Sequence, residues 1–68
     1  MRYVVFIQDL AFPGEWLDLA TFRWHFDAED FARSLSKRDR HQRLVRIEGS
    51  SQYAEVLFRG GKVLENAE

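Results

Sequence analysis

The alternation of apolar and polar positions along the chain predicts five short strands and one helix. Runs of β-branched and aromatic residues favour pleated strands, and Pro-Gly or Gly-rich segments separate several of these runs. The predicted strands span residues 3–7, about 16–24, 44–47, 53–59 and 62–64. Between the last two, Gly60-Gly61 supplies the two positive-φ residues of a tight hairpin, which sets Phe58 opposite Val63. The same turn sets Leu57 opposite Leu64.

One segment, from Ala28 to about Arg38, has the pattern of an amphipathic helix. Its apolar side chains recur at helical spacing, at Ala28, Phe31, Ala32 and Leu35. Asp27 is the predicted N-cap, and basic residues gather in the last turns, where they suit the helix dipole. The element order is therefore ββαβββ. It predicts an α+β fold, in which an antiparallel sheet of four to five strands carries one α-helix on one face.

The predicted sheet has more apolar surface than one helix can cover. An antiparallel sheet with a solvated second face shows polar residues there, whereas this sheet shows aromatic ones. The predicted apolar face comprises Trp16, Phe22, Trp24, Tyr53, Leu57 and Leu64. Placing Trp16 with Phe22 on one face assumes that no bulge shifts the second strand. Two interpretations stay open: the Phe12 loop and the C-terminal hairpin cover this face, or it is an interface with another protein or a second copy.

Length and composition limit the chain to one modest core. It has 68 residues, 46% of them hydrophobic and none of them cysteine. We therefore expect one compact domain over residues 1–68, without disulfides or thiolate metal sites and suited to a reducing cytoplasm. The apolar run from Tyr3 to Ile7 is too short for a membrane span or a signal sequence. Small domains of this kind often recover missing burial by association, so we expect a homo-oligomer or a partner-bound protein.

Charge is unevenly distributed along the chain. The formal net charge is -1, but residues 33–46 carry six basic residues against one acid, which gives +5. The six are Arg33, Lys37, Arg38, Arg40, Arg43 and Arg46. Such a stretch is able to bind a phosphate backbone or an acidic protein. The alternative, which the near-neutral total favours, is that these residues complement the helix dipole and keep the protein soluble.

The sequence contains no recognisable catalytic or metal-binding motif. His25 and His41 are the only histidines, and neither lies in an HxH, HxxxH or HExxH pattern. His25, Asp27, Glu29 and Asp30 cluster at the helix start, where they could form an acid-base site or a ligand set, but helix capping explains Asp27 and Asp30 with fewer assumptions. Ser50 and Ser51 lack the GxSxG pattern of a nucleophile elbow. We therefore predict a protein that is not an enzyme and that uses no metal or cofactor.

Three segments resemble a pattern found in many short bacterial and phage proteins. They are WLDLATF (16–22), DAEDFARSL (27–35) and RLVRI (43–47). The resemblance spans roughly Tyr3 to Phe58 and rests on architecture. In strand order and length the chain is also similar to small phage anti-CRISPR proteins, which bind CRISPR surveillance complexes. This resemblance implies a phage or mobile-element accessory protein that inhibits by occupying a surface.

These features together predict a non-catalytic protein-binding module, which associates with itself or with a partner through the aromatic sheet face. The alternative is a nucleic-acid or nucleoprotein binder that uses the basic stretch 33–46. Neither prediction involves a membrane.

Overall fold

A computed structural model describes residues 2–49 and 55–64 of the chain. Its elements are β1 (Tyr3–Gln8), β2 (Trp16–Phe22), α1 (His25–Arg38), β3 (Val45–Glu48), β4 (Val56–Arg59) and β5 (Lys62–Leu64). The strands form one antiparallel sheet in the order β2-β1-β3-β4-β5. The helix packs on one face of this sheet. The predicted α+β class and the ββαβββ order are therefore confirmed.

The core lies between α1 and the central strands. Alternate residues of β1 and β3 point towards the helix, and its two alanines allow the backbone to approach the sheet closely. The buried apolar residues are Tyr3, Val5, Ile7, Ala28, Ala32, Val45, Ile47 and Phe58. Full burial of a Val, Ile or Phe side chain contributes about 1.5–3 kcal/mol, so these few residues provide most of the stability.

The helix begins earlier than the sequence predicts. Its N-cap is Trp24, in an extended conformation, and the Ala28 N–H donates to the Trp24 carbonyl at 3.2 Å. The prediction of Asp27 as the N-cap is wrong, since this residue lies inside the first turn. Its carboxylate still suits the positive end of the helix dipole there. The extra residues are helical because the backbone bond to Trp24 closes the first turn without any side-chain cap.

A bulge in the β1–β2 pair decides which side chains of β2 face the helix. Val5 pairs with Ala20 but Phe6 pairs with Asp18, so Leu19 is an extra residue in β2. Because a one-residue shift moves a strand's side chains to the opposite face, Trp16 and Phe22 lie on opposite faces of the sheet. The prediction that placed them together is therefore wrong.

The β4–β5 hairpin has the predicted pairing, with Phe58 opposite Val63 and Leu57 opposite Leu64. Gly60 and Gly61 have φ angles of +61° and +81°, as expected for a turn with two left-handed residues.

This turn packs directly against α1. The Gly61 N–H donates to the Oγ of Ser36 at 2.9 Å, and Nη1 of Arg33 donates to the Gly61 carbonyl at 3.3 Å. Ser36 is fully buried, and its hydroxyl in turn donates to the Arg33 carbonyl at 3.1 Å. The hydroxyl therefore connects the hairpin to the helix.

Candidate functional site: the open face of the sheet

The sheet face opposite α1, here called the open face, has no helix over it within residues 2–49 and 55–64. One row of side chains crosses all the strands of this face through direct register partners: Asp18, Phe6, Arg46, Leu57 and Leu64. These residues alternate with the buried ones, which places them on the side away from the helix. This set is called the central row.

Arg46 stacks on two aromatic rings in the middle of the open face. Its Cζ lies 4.6 Å from the ring centroid of Phe6 and 4.6 Å from that of Trp16. Cation–π contacts of this kind contribute about 0.5–2 kcal/mol each, more when water is excluded. The stacking explains why these aromatic side chains are half-buried in the isolated chain.

The charge of Arg46 is partly balanced by a neighbouring carboxylate. Its Nε lies 3.4 Å from Oε2 of Glu55, and the Arg46 side chain is 21% exposed. The same Nε is buried and has no hydrogen-bond partner within residues 2–49 and 55–64, so the pair is an electrostatic contact without hydrogen-bond geometry. The guanidinium thus lies in a partly desolvated aromatic setting.

Charged residues flank the central row at its two sides. Glu48 and Glu55 lie towards one end of the strands and are called the acidic row. Arg59 and Lys62 are register partners towards the other end and are called the basic row. Asp18 and Arg46 lie between the two rows, and the exposed Arg2 and Arg23 follow Val4 and Thr21 at the acidic end of the same face.

The segments that were expected to cover this face do not do so. Phe12 is 67% exposed, and its loop is held by Asp9, whose Oδ1 accepts from the Ala11 and Phe12 amides at 2.8 and 3.2 Å. The described C-terminal hairpin extends the sheet in its own plane. The interpretation that both segments complete an ordinary core over this face is therefore wrong.

The residues predicted for the apolar face lie in three different places. Trp16, Leu57 and Leu64 are on the open face, as half-buried side chains. Phe22 lies on the helix side, where its ring centroid is 5.4 Å from that of Phe31, so its assignment to the apolar face is wrong. Trp24, which follows β2, is the helix N-cap and is 63% exposed. Tyr53 lies outside the described residues.

Two residues of the face were not predicted as part of it. Phe6 was treated only as a strand residue, and Arg46 was assigned to the basic stretch. A signal for both was present, because Phe6 alternates with Val5 and Ile7, and Arg46 lies between two apolar residues of β3.

The structure disperses the basic stretch. Arg43 pairs with Asp39: Nη2 is 3.1 Å from Oδ1, and the Arg43 amide donates to Oδ2 at 2.8 Å. Hydrogen bonds from the Arg43 side chain lower the pKa of Asp39, and they outweigh the effect of burial, which alone would raise it. Arg46 is on the open face. Arg43 and Arg46 are therefore the two members of the stretch that form ion pairs in the described chain.

The other four lie on or just after the helix. Arg33 contacts the β4–β5 turn, with its Cζ 5.4 Å from the Phe58 ring centroid, and Arg38 donates to the Ser34 carbonyl at 3.3 Å. Lys37 and Arg40 are exposed and form no ion pair within residues 2–49 and 55–64. All four are exposed, and a hydrogen bond to a neutral carbonyl leaves an arginine charged, so these four positive charges stay together at this end.

A second apolar feature lies at the start of the helix. An open cleft of about 570 Å³ is lined by Tyr3, Arg23, Trp24, His25 and Phe26. The His25 ring packs on Phe26 at 4.3 Å between centroids, and its Nδ1 is 3.8 Å from Oε2 of Glu29. Among the described residues, no group of three His, Cys, Asp or Glu is placed to hold a metal ion.

Comparisons with known proteins add no assignment. No protein-family model matches the chain, and neither a curated protein nor a solved structure matches it. The resemblance to short bacterial and phage proteins therefore stays a prediction. In the part of the chain that the structure describes, no helix has the length and apolar character needed to cross a membrane.

Proposed function

We propose that this chain is a non-catalytic protein-binding module that docks through the open face of its sheet. The observation that carries the proposal is the stacking of Arg46 on Phe6 and Trp16, at 4.6 Å from each ring centroid, in the middle of that face. Aromatic residues and arginine are the types enriched at the centres of protein interfaces.

The surroundings of Arg46 favour burial by a protein partner. Leu57 and Leu64 continue the central row as apolar side chains, so from Phe6 to Leu64 a partner would meet an apolar strip in which Arg46 is compensated by Glu55. Because the rings and Glu55 already shield the guanidinium, covering it displaces less water than covering a free arginine would. The centre of the open face is thus suited to an interface that excludes water.

A phage or mobile-element accessory role, as the resemblance implies, is compatible with this mode of action. An inhibitor that occupies a surface on its target needs a docking face and no reactive group.

Nucleic-acid binding through the basic stretch is the weaker alternative. Arg43 is engaged with Asp39, and Arg46 stacks on aromatic rings of the open face, so only four members of the basic stretch stay together on the helix and just after it. Such binding would weaken steeply with salt and would fall in an Arg40→Glu variant.

The two tryptophans provide a matched test of the proposal. Trp16 is on the open face and Trp24 is off the sheet. Purified wild-type chain, Trp16→Ala, Leu57→Asp and Trp24→Ala are each used as bait in lysate of the source organism, with and without nuclease. Circular dichroism of every variant first establishes that the fold is intact.

We expect nuclease-resistant capture that falls at least tenfold with Trp16→Ala and Leu57→Asp, because truncating a central interface residue typically weakens binding by about 2 kcal/mol or more. Trp24→Ala should capture as wild type does. Capture that is lost with nuclease, or that depends on Trp24 but not on Trp16, would contradict the proposal.

A further inference from the structure

Two exposed arginines lie next to each other at the end of the sheet where β1 begins and β2 ends. The last register pair of these strands is Tyr3 with Phe22, and Arg2 and Arg23 adjoin that pair. Both arginines border one depression of about 370 Å³, together with Thr21 and Phe22. Within residues 2–49 and 55–64, neither of them forms an ion pair. The two guanidinium groups, here called the arginine pair, are thus held close together without a paired carboxylate.

The acidic row lies at the same end of the open face and reduces the positive potential there. Glu48 is opposite Val4 on β1 and is not ion-paired to the arginine pair in the described chain. Glu55 is engaged with Arg46 at 3.4 Å. An anion at the arginine pair is therefore attracted by two guanidinium groups and repelled by this row, so we expect weak binding of an anion alone.

Arg23 also lines the aromatic cleft at the start of α1. This cleft of about 570 Å³ contains Trp24 and Phe26, whose side chains are 63% and 69% exposed. Trp24 is the N-cap residue, and the bond from the Ala28 N–H to its carbonyl ties its backbone to the helix. The cleft therefore offers exposed ring surface on a fixed backbone, directly beside the arginine pair.

We propose that the cleft and the arginine pair together bind a nucleotide. The base lies in the cleft against Trp24 and Phe26, and its phosphate lies between Arg2 and Arg23. Bases of every kind stack on exposed aromatic side chains. The volume of the cleft is within the range of about 300–1,000 Å³ that is usual for small-molecule sites. Because Arg23 lines both parts, the ligand must carry a flat ring and an anion close together, as a nucleotide does.

Two guanidinium groups favour a phosphate over a carboxylate. The fork of one arginine satisfies both oxygens of a carboxylate, whereas a phosphate has further terminal oxygens for a second fork and for the Thr21 hydroxyl. A phosphate also carries the larger negative charge near neutral pH. A base without a phosphate leaves the arginine pair unused, and a phosphate without a base leaves the cleft empty. Full affinity therefore needs both parts of the ligand.

The test is a titration of the full chain with adenosine monophosphate, followed by proton–nitrogen correlation NMR. The chain has two tryptophans, so the indole N–H of Trp24 reports on the cleft and that of Trp16 reports on the open face. We expect the Trp24 signal to shift and to saturate with a dissociation constant of about 0.1–1 mM, while the Trp16 signal stays in place. Adenosine and inorganic phosphate, which supply the ring and the anion separately, should each bind at least about tenfold more weakly.

Variants at exposed positions separate the two parts of the site. Arg23→Ala should weaken the binding of adenosine monophosphate at least about fivefold, towards the affinity of adenosine, because the phosphate loses one fork. Trp24→Ala should weaken it by a similar factor, towards the affinity of inorganic phosphate, because the base loses its stacking surface. Arg40→Ala and Trp16→Ala are matched controls, since they remove the same residue types away from the cleft, and both should bind as the wild type does. The backbone signals of every variant first establish that the fold is intact.

A single strand of about six adenylates distinguishes a free nucleotide from a nucleotide within a nucleic acid. Binding no tighter than that of adenosine monophosphate assigns the site to free nucleotides. Tighter binding that still depends on Trp24 and Arg23 assigns it to nucleotides in a strand.

A Trp24 signal that does not move up to about 10 mM adenosine monophosphate would overturn the proposal, as would binding that survives both Arg23→Ala and Trp24→Ala. Inorganic phosphate that binds as tightly as adenosine monophosphate would also overturn it, because the cleft would then contribute nothing. Trp16 and Leu57, on which the protein-binding function rests, are not part of this site, so the two proposals can fail independently.

Discussion

Replacing Gly61 by alanine should loosen the β4–β5 hairpin from the helix. Gly61 has a φ of +81°, and a Cβ at this position would lie 3.0 Å from the Cβ of Lys37 and 3.3 Å from its Cγ. The Cβ of Lys37 is fixed to the helix backbone, so this contact is relieved only if the turn moves away. Movement of the turn breaks the hydrogen bond from the Gly61 N–H to the buried Ser36 hydroxyl, which is 2.9 Å long.

The destabilisation can be estimated from these two terms. A left-handed conformation costs a non-glycine residue about 1–2 kcal/mol. A buried hydroxyl that loses its donor adds about 1–2 kcal/mol. The free energy of unfolding should therefore fall by about 2–4 kcal/mol in Gly61→Ala, a large part of the stability of a domain this small.

Two other glycines provide graded controls for a urea titration followed by circular dichroism. At Gly60, with φ +61°, a Cβ would meet only the end of the flexible Gln42 side chain at 3.3 Å, so Gly60→Ala should show the backbone term alone, about 1–2 kcal/mol. At Gly14 a Cβ would meet nothing within 4 Å, and Gly14→Ala should be close to neutral. Ser36→Ala deletes the hydroxyl that accepts the hydrogen bond from the Gly61 N–H.

The order of the effects tests the reasoning. If Gly61→Ala costs no more than Gly60→Ala, the turn is not docked on Lys37 as described. If the losses in Ser36→Ala and Gly61→Ala add fully in the double variant, the two residues do not share one interaction.

Two further predictions concern the helix end and the helix-covered face. The hydrogen bonds from Arg43 lower the pKa of Asp39 below its ordinary value of 3.8, so its stabilising contribution is complete above that pH and is lost as the pH falls through the lower folded-state pKa. The free energy of unfolding, measured in urea at pH 7 and pH 3, should therefore fall less on acidification in Asp39→Asn than in the wild type. Equal falls would refute this role. Phe22→Ser should lower the unfolding midpoint by removing packing against α1, whereas Trp24→Ser should leave it nearly unchanged. A Phe22→Ser variant of wild-type stability would contradict the assignment of Phe22 to the helix side.

The local features of the fold were predictable from the sequence. Gly60-Gly61 has few conformational options between two alternating segments, so the hairpin register follows from turn geometry alone. The stripe through Ala28 and Ala32 likewise marks the face of the helix that is buried.

The open face was less predictable, because it depends on contacts between distant segments. In WLDLATF both alternating sets contain large apolar residues, so nothing local indicates the shift opposite Phe6 that separates Trp16 from Phe22. The shift arises only when β2 pairs with β1. The basic stretch shows the same difficulty: its members are near in sequence, but Arg46 belongs to β3 and its stacking partners belong to β1 and β2.

The strand order also has a consequence for how the chain folds. Most neighbouring strands are joined by a short turn or loop, whereas β1 and β3 are separated by all of β2 and α1. Closing such a loop has a high entropic cost before any contact compensates for it. We therefore expect the β1–β3 seam, where Val5 meets Ile47, to form in the slowest step, after the local hairpins and the helix have begun to form.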